Sequence, residues 1–464
     1  MNKVPTSTYL QNKNPYTFNI LDSLSIKLTV TENPYQLPLE LLFEMAARKN
    51  KKRGFLFVSK VLGKHIPVKP AASLLSGGVL AMRYMEEVHG VSCSKREDII
   101  DRLLSGQGER EAYLSMLKEP FQLPDETLFI GFAETATALG HNMFEFFDNA
   151  AFVHTTRENI QELESIINFE EEHSHATSQA CYCSEELLQK GGPIVLVDDE
   201  ITTGNTALNI IRAIQQSFPR KEEYTVASLL DWRSADNKKR YKELEKELGI
   251  RIKTVTLLAG EIEVQGNPVE DEGAFLYIKD ERAAAAAQVN RISLSSISKE
   301  IQDHPYTSIS SKGEASNVLY SGMTGRFSGL LSENKADINS FCRMAGERLL
   351  QTRSEGKALC LGTGEFMYLP MKIADYMGDN LFYQSTTRSP IHRVNKTGYA
   401  VKSGFAFPCP EDDCIMNYFY NIEYKQYSDI FLFLEKTIDE VKLAPLLECL
   451  KKTGPETITL VTVN

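Results

Sequence analysis

At 464 residues and 52.2 kDa the chain is too long for one compact core, and about 100–200 residues per domain implies two to four domains. A composition of 42% hydrophobic and 24% charged residues, with 28 Gly and 18 Pro, excludes a disordered chain, a collagen-like rod and a low-complexity scaffold. Fifty-one basic against 62 acidic residues leave a formal charge of -11, which argues against sequence-independent nucleic-acid binding while leaving room for a small anion held by local donors.

In chain order, Met1 to Tyr16 is polar and has no apolar signal core. Leu24, Ile26, Leu28 and Val30 alternate with polar residues, the pattern of a half-buried strand. Pro38 is expected to start a helix through Leu41, Leu42 and Met45, and the basic run Arg48, Lys49, Lys51, Lys52, Arg53 leads into Phe55–Ser59. The longest apolar stretch, Ala71 to Met82, is broken by Ser and Gly and falls short of the roughly 20 residues that span a bilayer. A cytoplasmic protein with no membrane partner is expected.

From Glu126 the pattern changes to apolar strands, each followed by a segment of helical period: Thr127–Gly131, Ala150–Thr155, Pro193–Val197 and Tyr224–Asp231. Alternating strands and helices imply an α/β fold with a parallel sheet covered on both faces. Ala283–Ala287 reads as a helix turn and residues 291–315, rich in Ser, Lys and Gly, as a linker; strand and helix signals then return, giving two α/β domains. The eight Cys are scattered. Cys409 and Cys414 have no second ligand pair or His nearby, so loop or core cysteines are the simpler reading than a metal site.

The segment richest in chemistry is Val195-Leu196-Val197-Asp198-Asp199-Glu200-Ile201-Thr202-Thr203-Gly204-Asn205-Thr206. A buried strand ends in two acids, and a Thr/Gly turn opens a helix marked by Ala207, Ile210, Ile211 and Ile214. Carboxylates at the C-terminal end of a parallel strand point into the crevice where such sheets bind ligands. The turn offers hydroxyls and free N–H groups to a phosphate at a helix N-terminus. Together they suit a ribose whose hydroxyls meet the acids and whose 5′-phosphate sits in the turn. A response-regulator receiver would need a lone Asp on a later strand followed by Thr/Ser and Lys, whereas Asp231 is followed by Trp232 and Arg233. A Walker B strand would need a G-x-x-x-x-G-K-[ST] partner, which the sequence lacks.

This segment resembles the phosphoribosyl-diphosphate (PRPP) motif of type I phosphoribosyltransferases. The resemblance implies that Asp198 and Asp199 hold the ribose 2′- and 3′-hydroxyls, with Mg²⁺ bound through PRPP near them, and that Thr202, Thr203, Gly204, Asn205 and Thr206 bind the 5′-phosphate. It makes Glu134, Thr135, Ala136 and Thr137 the pyrophosphate turn. Arg157 is then either a further cation for pyrophosphate or a surface Arg. Asp231, Trp232 and Arg233 fall where orotate-type enzymes face the acceptor, with Trp232 a stacking ring or a core residue. Residues 158–190 occupy the position of the family's basic lid but carry Glu170-Glu171-Glu172-His173-Ser174-His175, so a lid and a solvated acidic loop both remain open.

A gap-free comparison at an offset of 231 residues pairs Leu128/Leu359, Gly131/Gly362, Glu134/Glu365, Thr155/Thr386, Thr156/Thr387, Arg157/Arg388 and Ile160/Ile391 as identities. A strand recurs near Ile430–Phe433, without the acid pair or the Thr-Thr-Gly turn, and Pro455–Val463 supplies a last strand. The second domain therefore reads as a degenerate copy that keeps the front turn and loses the PRPP turn. Thr387-Arg388-Ser389-Pro390 resembles the signature of the TRSP domain, which follows an orotate-type phosphoribosyltransferase in bacterial operons linked to tellurite resistance and stress. That resemblance implies a division into 1–290, a phosphoribosyltransferase domain with an N-terminal hood; 291–315, the linker; and 316–464, the TRSP domain. Glu365, Thr387, Arg388 and His392 are candidates for an anion site there, against an ordinary turn after a strand.

The resemblance implies a Mg²⁺-dependent phosphoribosyltransferase that moves ribose 5-phosphate from PRPP onto a nitrogenous acceptor, in biosynthesis of a nucleoside-like metabolite. The alternatives are a non-catalytic PRPP-binding regulator and a PRPP synthetase-like tandem enzyme. A homodimer, and a monomer in which the tandem copy replaces the partner, are both compatible with the sequence.

Overall fold

The computed structural model describes residues 15–21, 23–49, 53–170, 178–269 and 283–464. An antiparallel pair, β1 (Tyr16–Ile20) and β2 (Leu24–Glu32), begins it, with Leu24, Ile26 and Leu28 buried as their alternation requires. α1 (Leu39–Leu42) is a single turn that gives way to β3 (Phe43–Ala47), which pairs with β4 (Phe55–Ser59). Met45 thus lies in a strand opposite Phe57, not in the expected helix; cross-strand packing of large apolar residues outweighs local helix preference. The Ser/Gly-broken apolar stretch is α2 (Pro70–Tyr84), opened by Pro70 and buried along almost its whole length. Gly77 lets the Asn142 side chain approach, and that amide donates to the carbonyls of Ser73 (3.0 Å) and Leu74 (2.9 Å). α3 (Arg96–Ser105) and α4 (Glu109–Leu117) follow.

The first α/β unit comprises β5 (Phe121–Gly131), α5 (Thr135–Phe144), β6 (Phe147–His154), the hairpin β7 (Ile167–Glu170) and β8 (Ser178–Cys181), α6 (Glu185–Gln189), β9 (Ile194–Ile201), α7 (Asn205–Ser217), β10 (Glu223–Asp231), α8 (Ala235–Leu248) and β11 (Arg251–Gly266). Its strands lie parallel in the order β11-β10-β9-β5-β6, with β2 and β1 antiparallel beyond β11. Ile194 to Val197 are fully buried, as a central parallel strand covered on both faces must be.

The second unit comprises β12 (Gln288–Ser293), the hairpin β13 (His304–Ile309) and β14 (Ala315–Tyr320), β15 (Leu330–Leu331), α9 (Lys335–Leu350), β16 (Ala358–Gly362), α10 (Tyr368–Asp375), β17 (Leu381–Ser385), the hairpin β18 (Gly404–Pro408) and β19 (Met416–Tyr420), β20 (Asp429–Leu434), α11 (Glu440–Lys451) and β21 (Thr457–Thr462). Its parallel sheet runs β12-β21-β20-β16-β17, in which β21-β20-β16-β17 repeat the order β10-β9-β5-β6 and β12, which precedes them in the chain, takes the edge place of β11. The duplication extends to single hydrogen bonds. Thr155 N–H donates to Gly131 O (2.9 Å) as Thr386 N–H does to Gly362 O (3.0 Å). Ala133 N–H donates to Thr155 Oγ1 (2.8 Å) as Gly364 N–H does to Thr386 Oγ1 (3.0 Å).

Two further expectations differ from this structure. Ala283–Ala287 forms no helix: Ala285 N–H donates to Lys451 O (3.2 Å), and the run leads extended into β12. The span read as a linker holds the end of β12 and most of the β13–β14 hairpin. Edge strands of this kind show few buried side chains, so their sequence lacks the alternation that reveals a strand.

The halves are interlocked. β15 pairs with β6, and α5 packs on α10, with the His141 ring stacked on Tyr368 at 3.6 Å. Lys372 pairs with buried Glu145, which also accepts from Tyr113 Oη at 2.9 Å. Among the described residues no helix is long and apolar enough to cross a membrane.

Buried histidines make this core acid-sensitive. Burial, then nearby Arg326, pulls His154 down to about 4, and its Nδ1 lies 2.9 Å from Thr155 O. The folded state keeps the ring neutral where the unfolded chain takes a proton, so stability falls as pH drops from about 6.5 to 4, by about 3 kcal/mol from this group. Urea titrations of wild type and His154→Gln at pH 7 and pH 5 should show a shallower loss in the variant.

Candidate functional site

The acids expected at the end of β9 are there. Asp198, Asp199 and Glu200 are half-buried where the strand leaves the sheet, and Asp199 N–H donates to Asp198 Oδ1 at 2.9 Å. Glu200 is paired with Arg53, the last residue of the basic run; burial raises its carboxyl and Arg53 pulls it back. α7 then begins at Asn205 with Gly204 as N-cap and no side-chain cap, and Asn205 N–H donates to Thr203 Oγ1 at 3.3 Å. Thr202 to Thr206 surround this helix end, half-buried, as an anion seat requires. Gly204 is obligatory: φ is +77°, and a Cβ would lie 2.4 Å from Tyr241 Oη, which donates to Gly204 O at 3.0 Å.

Asp231 and Arg233 are placed differently from the acceptor-facing expectation, and Trp232 takes its core alternative. All three are buried. Arg233 grips Asp231 with Nε (2.9 Å) and Nη2 (2.7 Å), donates to Thr254 Oγ1 (2.9 Å) and lies 4.2 Å over the Tyr241 ring. These groups prop Tyr241 under the Gly204 turn rather than facing an acceptor. Trp232 stacks on Phe57 at 4.7 Å and meets Phe43 edge-on, fastening the β3–β4 hairpin to the sheet. A planar ring gains more by burial between two Phe than by exposure in a cleft.

At the end of β5 the chain reaches Glu134 with φ +68° and ψ -123°, a strained backbone for a residue with a side chain. Its carboxylate accepts from Lys64 Nζ (2.9 Å) and from Arg157. Burial alone would raise it; Arg157 and Lys64 hold it well below the usual carboxylate range. Burial pulls Lys64 down, and Glu134 and Asp199 more than reverse that. Thr135 and Ala136 are buried at the uncapped start of α5, the Thr135 hydroxyl without a partner, while Thr137 Oγ1 donates to Glu134 O at 2.7 Å. Lys64 is the residue that sequence reasoning missed. A lone Lys in a loop carries no pattern, and only the tertiary fold brings it to Glu134.

Glu365 of the second domain reaches across to the first: it accepts from Thr156 Oγ1 (2.6 Å) and from Arg157 N–H (3.0 Å). Thr387 and Arg388 line a cavity with Lys64, Glu134 and Arg157. His392 lies apart from it. Its N–H donates to Ala47 O (2.9 Å) and its carbonyl accepts from Tyr399 Oη (2.6 Å), so it sits buried behind the β3–β4 hairpin. By register, Leu434 and Glu435 stand where the first domain has Asp198 and Asp199, since Leu359 faces Ile430 as Leu128 faces Ile194. Glu435 is buried against Arg326 at 2.7 Å, and Asp439 caps α11 by accepting from Val441 N–H at 2.8 Å. A side chain of the protein thus caps α11, where α7 in the first domain has no side-chain cap from its N-cap residue. In the segment 158–190, β7 and β8 form a hairpin packed on α7, and Glu171 to His175 lie outside the described residues. Cys409 is buried and Cys414 exposed.

A doubly covered parallel sheet, an acid pair at the end of a central strand and an uncapped Thr/Gly turn after it define a protein of the phosphoribosyltransferase class. Residues 42–261 match a family described as "Phosphoribosyl transferase", and residues 323–450 match the "TRSP domain C terminus to PRTase_2". The chain belongs to this family of phosphoribosyltransferases carrying a C-terminal TRSP domain. A search of curated proteins finds no match. Similar solved structures include adenine phosphoribosyltransferase from Rhodothermus marinus, with 22% identity over 33% of this chain and 81% of that one, at a TM-score of 0.23. Another is the Trypanosoma brucei adenine enzyme with AMP, pyrophosphate and ribose 5-phosphate, with 12% identity over 52% and 86% and a TM-score of 0.28. Orotate phosphoribosyltransferase from Mycobacterium tuberculosis with PRPP shows 18% identity over 40% and 88%, at a TM-score of 0.17.

Proposed function

We propose that the chain transfers the ribose 5-phosphate of PRPP to a nitrogen nucleophile. The bond from C1 to the pyrophosphate oxygen breaks, the acceptor nitrogen bonds to C1 with inversion, and the acceptor's proton is released. The observation that carries this reading is the half-buried pair Asp198 and Asp199 leading directly into the uncapped α7 turn at Gly204. Asp198 and Asp199 hold the ribose hydroxyls and offset the positive charge that grows on the ring; Thr202 to Thr206 seat the 5′-phosphate; Glu134 to Thr137 and Arg157 face the pyrophosphate. Two carboxylates beside a pyrophosphate form an all-oxygen donor set that fits Mg²⁺, which supplies charge neutralisation of the leaving group when bound. The product fits biosynthesis of a nucleoside-like metabolite in the cytoplasm.

The test is pyrophosphate release from PRPP and Mg²⁺ with a panel of bases and amines. Release that depends on one acceptor supports the transferase; tight PRPP binding with none would make the chain a sensor, and ATP-dependent consumption of ribose 5-phosphate a synthetase. A second result is expected from Gly204→Ala. Its positive φ and the Tyr241 contact cost about 1–3 kcal/mol, so ribose 5-phosphate binding measured by calorimetry should weaken roughly tenfold or more.

A further inference from the structure

The cavity between the two front turns brings together Lys64 from the hood, Glu134 and Arg157 from the first domain, and Arg388 and Asn417 from the second. Three cations from three parts of the chain thus share this wall with two carboxylates, Glu134 and Glu365. Lys64 and Arg157 have Glu134 as their partner. Arg388 is half-buried, with no hydrogen bond or ion pair among the described residues, although its charge helps hold the Glu134 carboxyl low. Glu365, the other acid on this wall, is occupied by Thr156, by Arg157 N–H and by the neighbouring Arg326. Asn417 is 4% exposed and its Oδ1 has no hydrogen-bond partner among the described residues. Its amide, turned over, presents two N–H donors to the same space.

Three cations against two acids that are already engaged, with a buried amide left unsatisfied among the described residues, form an arrangement that an added anion stabilises. Two arginines lining one cavity match the several oxygens of a diphosphate, each guanidinium able to donate in a fork. We propose that this cavity is one anion site built by both domains, in which Arg388 and Asn417 bind the diphosphate of PRPP together with Arg157. The inference rests on the transferase reading above. It accounts for the second domain's retention of Thr386-Thr387-Arg388 after the loss of its own acid pair and phosphate seat: the retained turn serves its neighbour's site.

The test uses the full chain, wild type and Arg388→Ala, with calorimetric titration of magnesium pyrophosphate and, separately, of ribose 5-phosphate. Arg388 makes no hydrogen bond or ion pair among the described residues, so the variant's thermal midpoint should stay close to that of wild type. Pyrophosphate affinity is expected to fall tenfold or more while ribose 5-phosphate affinity stays the same. Asn417→Ala should give a smaller loss in the same direction, and Arg388→Lys a partial recovery. Equal pyrophosphate affinity in wild type and Arg388→Ala overturns the proposal. Wild type that binds ribose 5-phosphate but no pyrophosphate overturns this inference alone; wild type that binds neither overturns the PRPP reading with it.

Discussion

Asp198→Asn is expected to lower acceptor-dependent pyrophosphate release by about 10²–10³-fold, the size of effect seen when one preorganised electrostatic partner of a transition state is removed. Asn keeps the shape of the side chain and an oxygen that can still accept from Asp199 N–H, so the end of β9 keeps its local hydrogen bond. What is lost is the negative charge beside a ribose ring that becomes cationic as pyrophosphate departs. The loss should therefore fall mainly on kcat, with the thermal midpoint within a degree or so of wild type. Full activity in the variant would remove Asp198 from the chemistry. A collapse of folding would instead mean that the acid is structural, which its half-buried position at a strand end argues against.

Arg326→Met is expected to give the largest loss of stability, about 3–5 kcal/mol in urea titrations. Arg326 is fully enclosed where the two units meet. It pairs with Glu435 at 2.7 Å, has Glu365 at 3.7 Å and lies 5.3 Å from the Tyr320 ring. Methionine fills much of the volume but leaves Glu435 buried without its paired cation, with only Lys436, which pairs with Glu158 and Glu411, offsetting its charge. Burial already raises that carboxyl and Arg326 lowers it, so the variant should take up a proton there and lose stability most steeply as pH rises. Adding Glu435→Gln should recover part of the loss, because an uncharged pair costs less to bury than an orphaned acid. Equal stability of Arg326→Met and wild type would show that the ion network does not couple the units. The same substitution should also loosen the Thr156–Arg157 corner, since Glu365 holds that corner and has Arg326 beside it.

What the sequence made legible is what is contiguous. Asp198 to Thr206 is strand end, turn and helix start in one stretch, so residue types and spacing state the geometry directly. The repeat was visible for a related reason: Gly131 faces His154 and Gly362 faces Ser385, so each strand–helix–strand unit must keep one length. The correspondence drifts further on because Leu128 faces Ile194 while Leu359 faces Ile430, a change of spacing that a gap-free comparison cannot follow. The degenerate copy's fifth strand, β12, precedes the copy in the chain and pairs with β21 at its edge, so neither order nor alternation announced it.

What stayed hidden depends on distant pairings. Arg53 meeting Glu200, Lys64 meeting Glu134 and Glu365 holding Arg157 each join segments far apart in sequence. Arg233 differs from its acceptor-facing expectation, and Trp232 is open between ring and core, for the opposite reason. Their types suit a ligand, but a Phe pair and an acid inside the fold satisfy them first.

The central claim is that Asp198 to Thr206 holds PRPP, and the most direct measurement is a crystal structure of the full chain with PRPP and Mg²⁺. The 5′-phosphate should lie in the Thr202–Thr206 turn at the N-terminus of α7, with the ribose hydroxyls on Asp198 and Asp199. A 5′-phosphate bound anywhere else, or a turn left empty at saturating PRPP, would contradict the account.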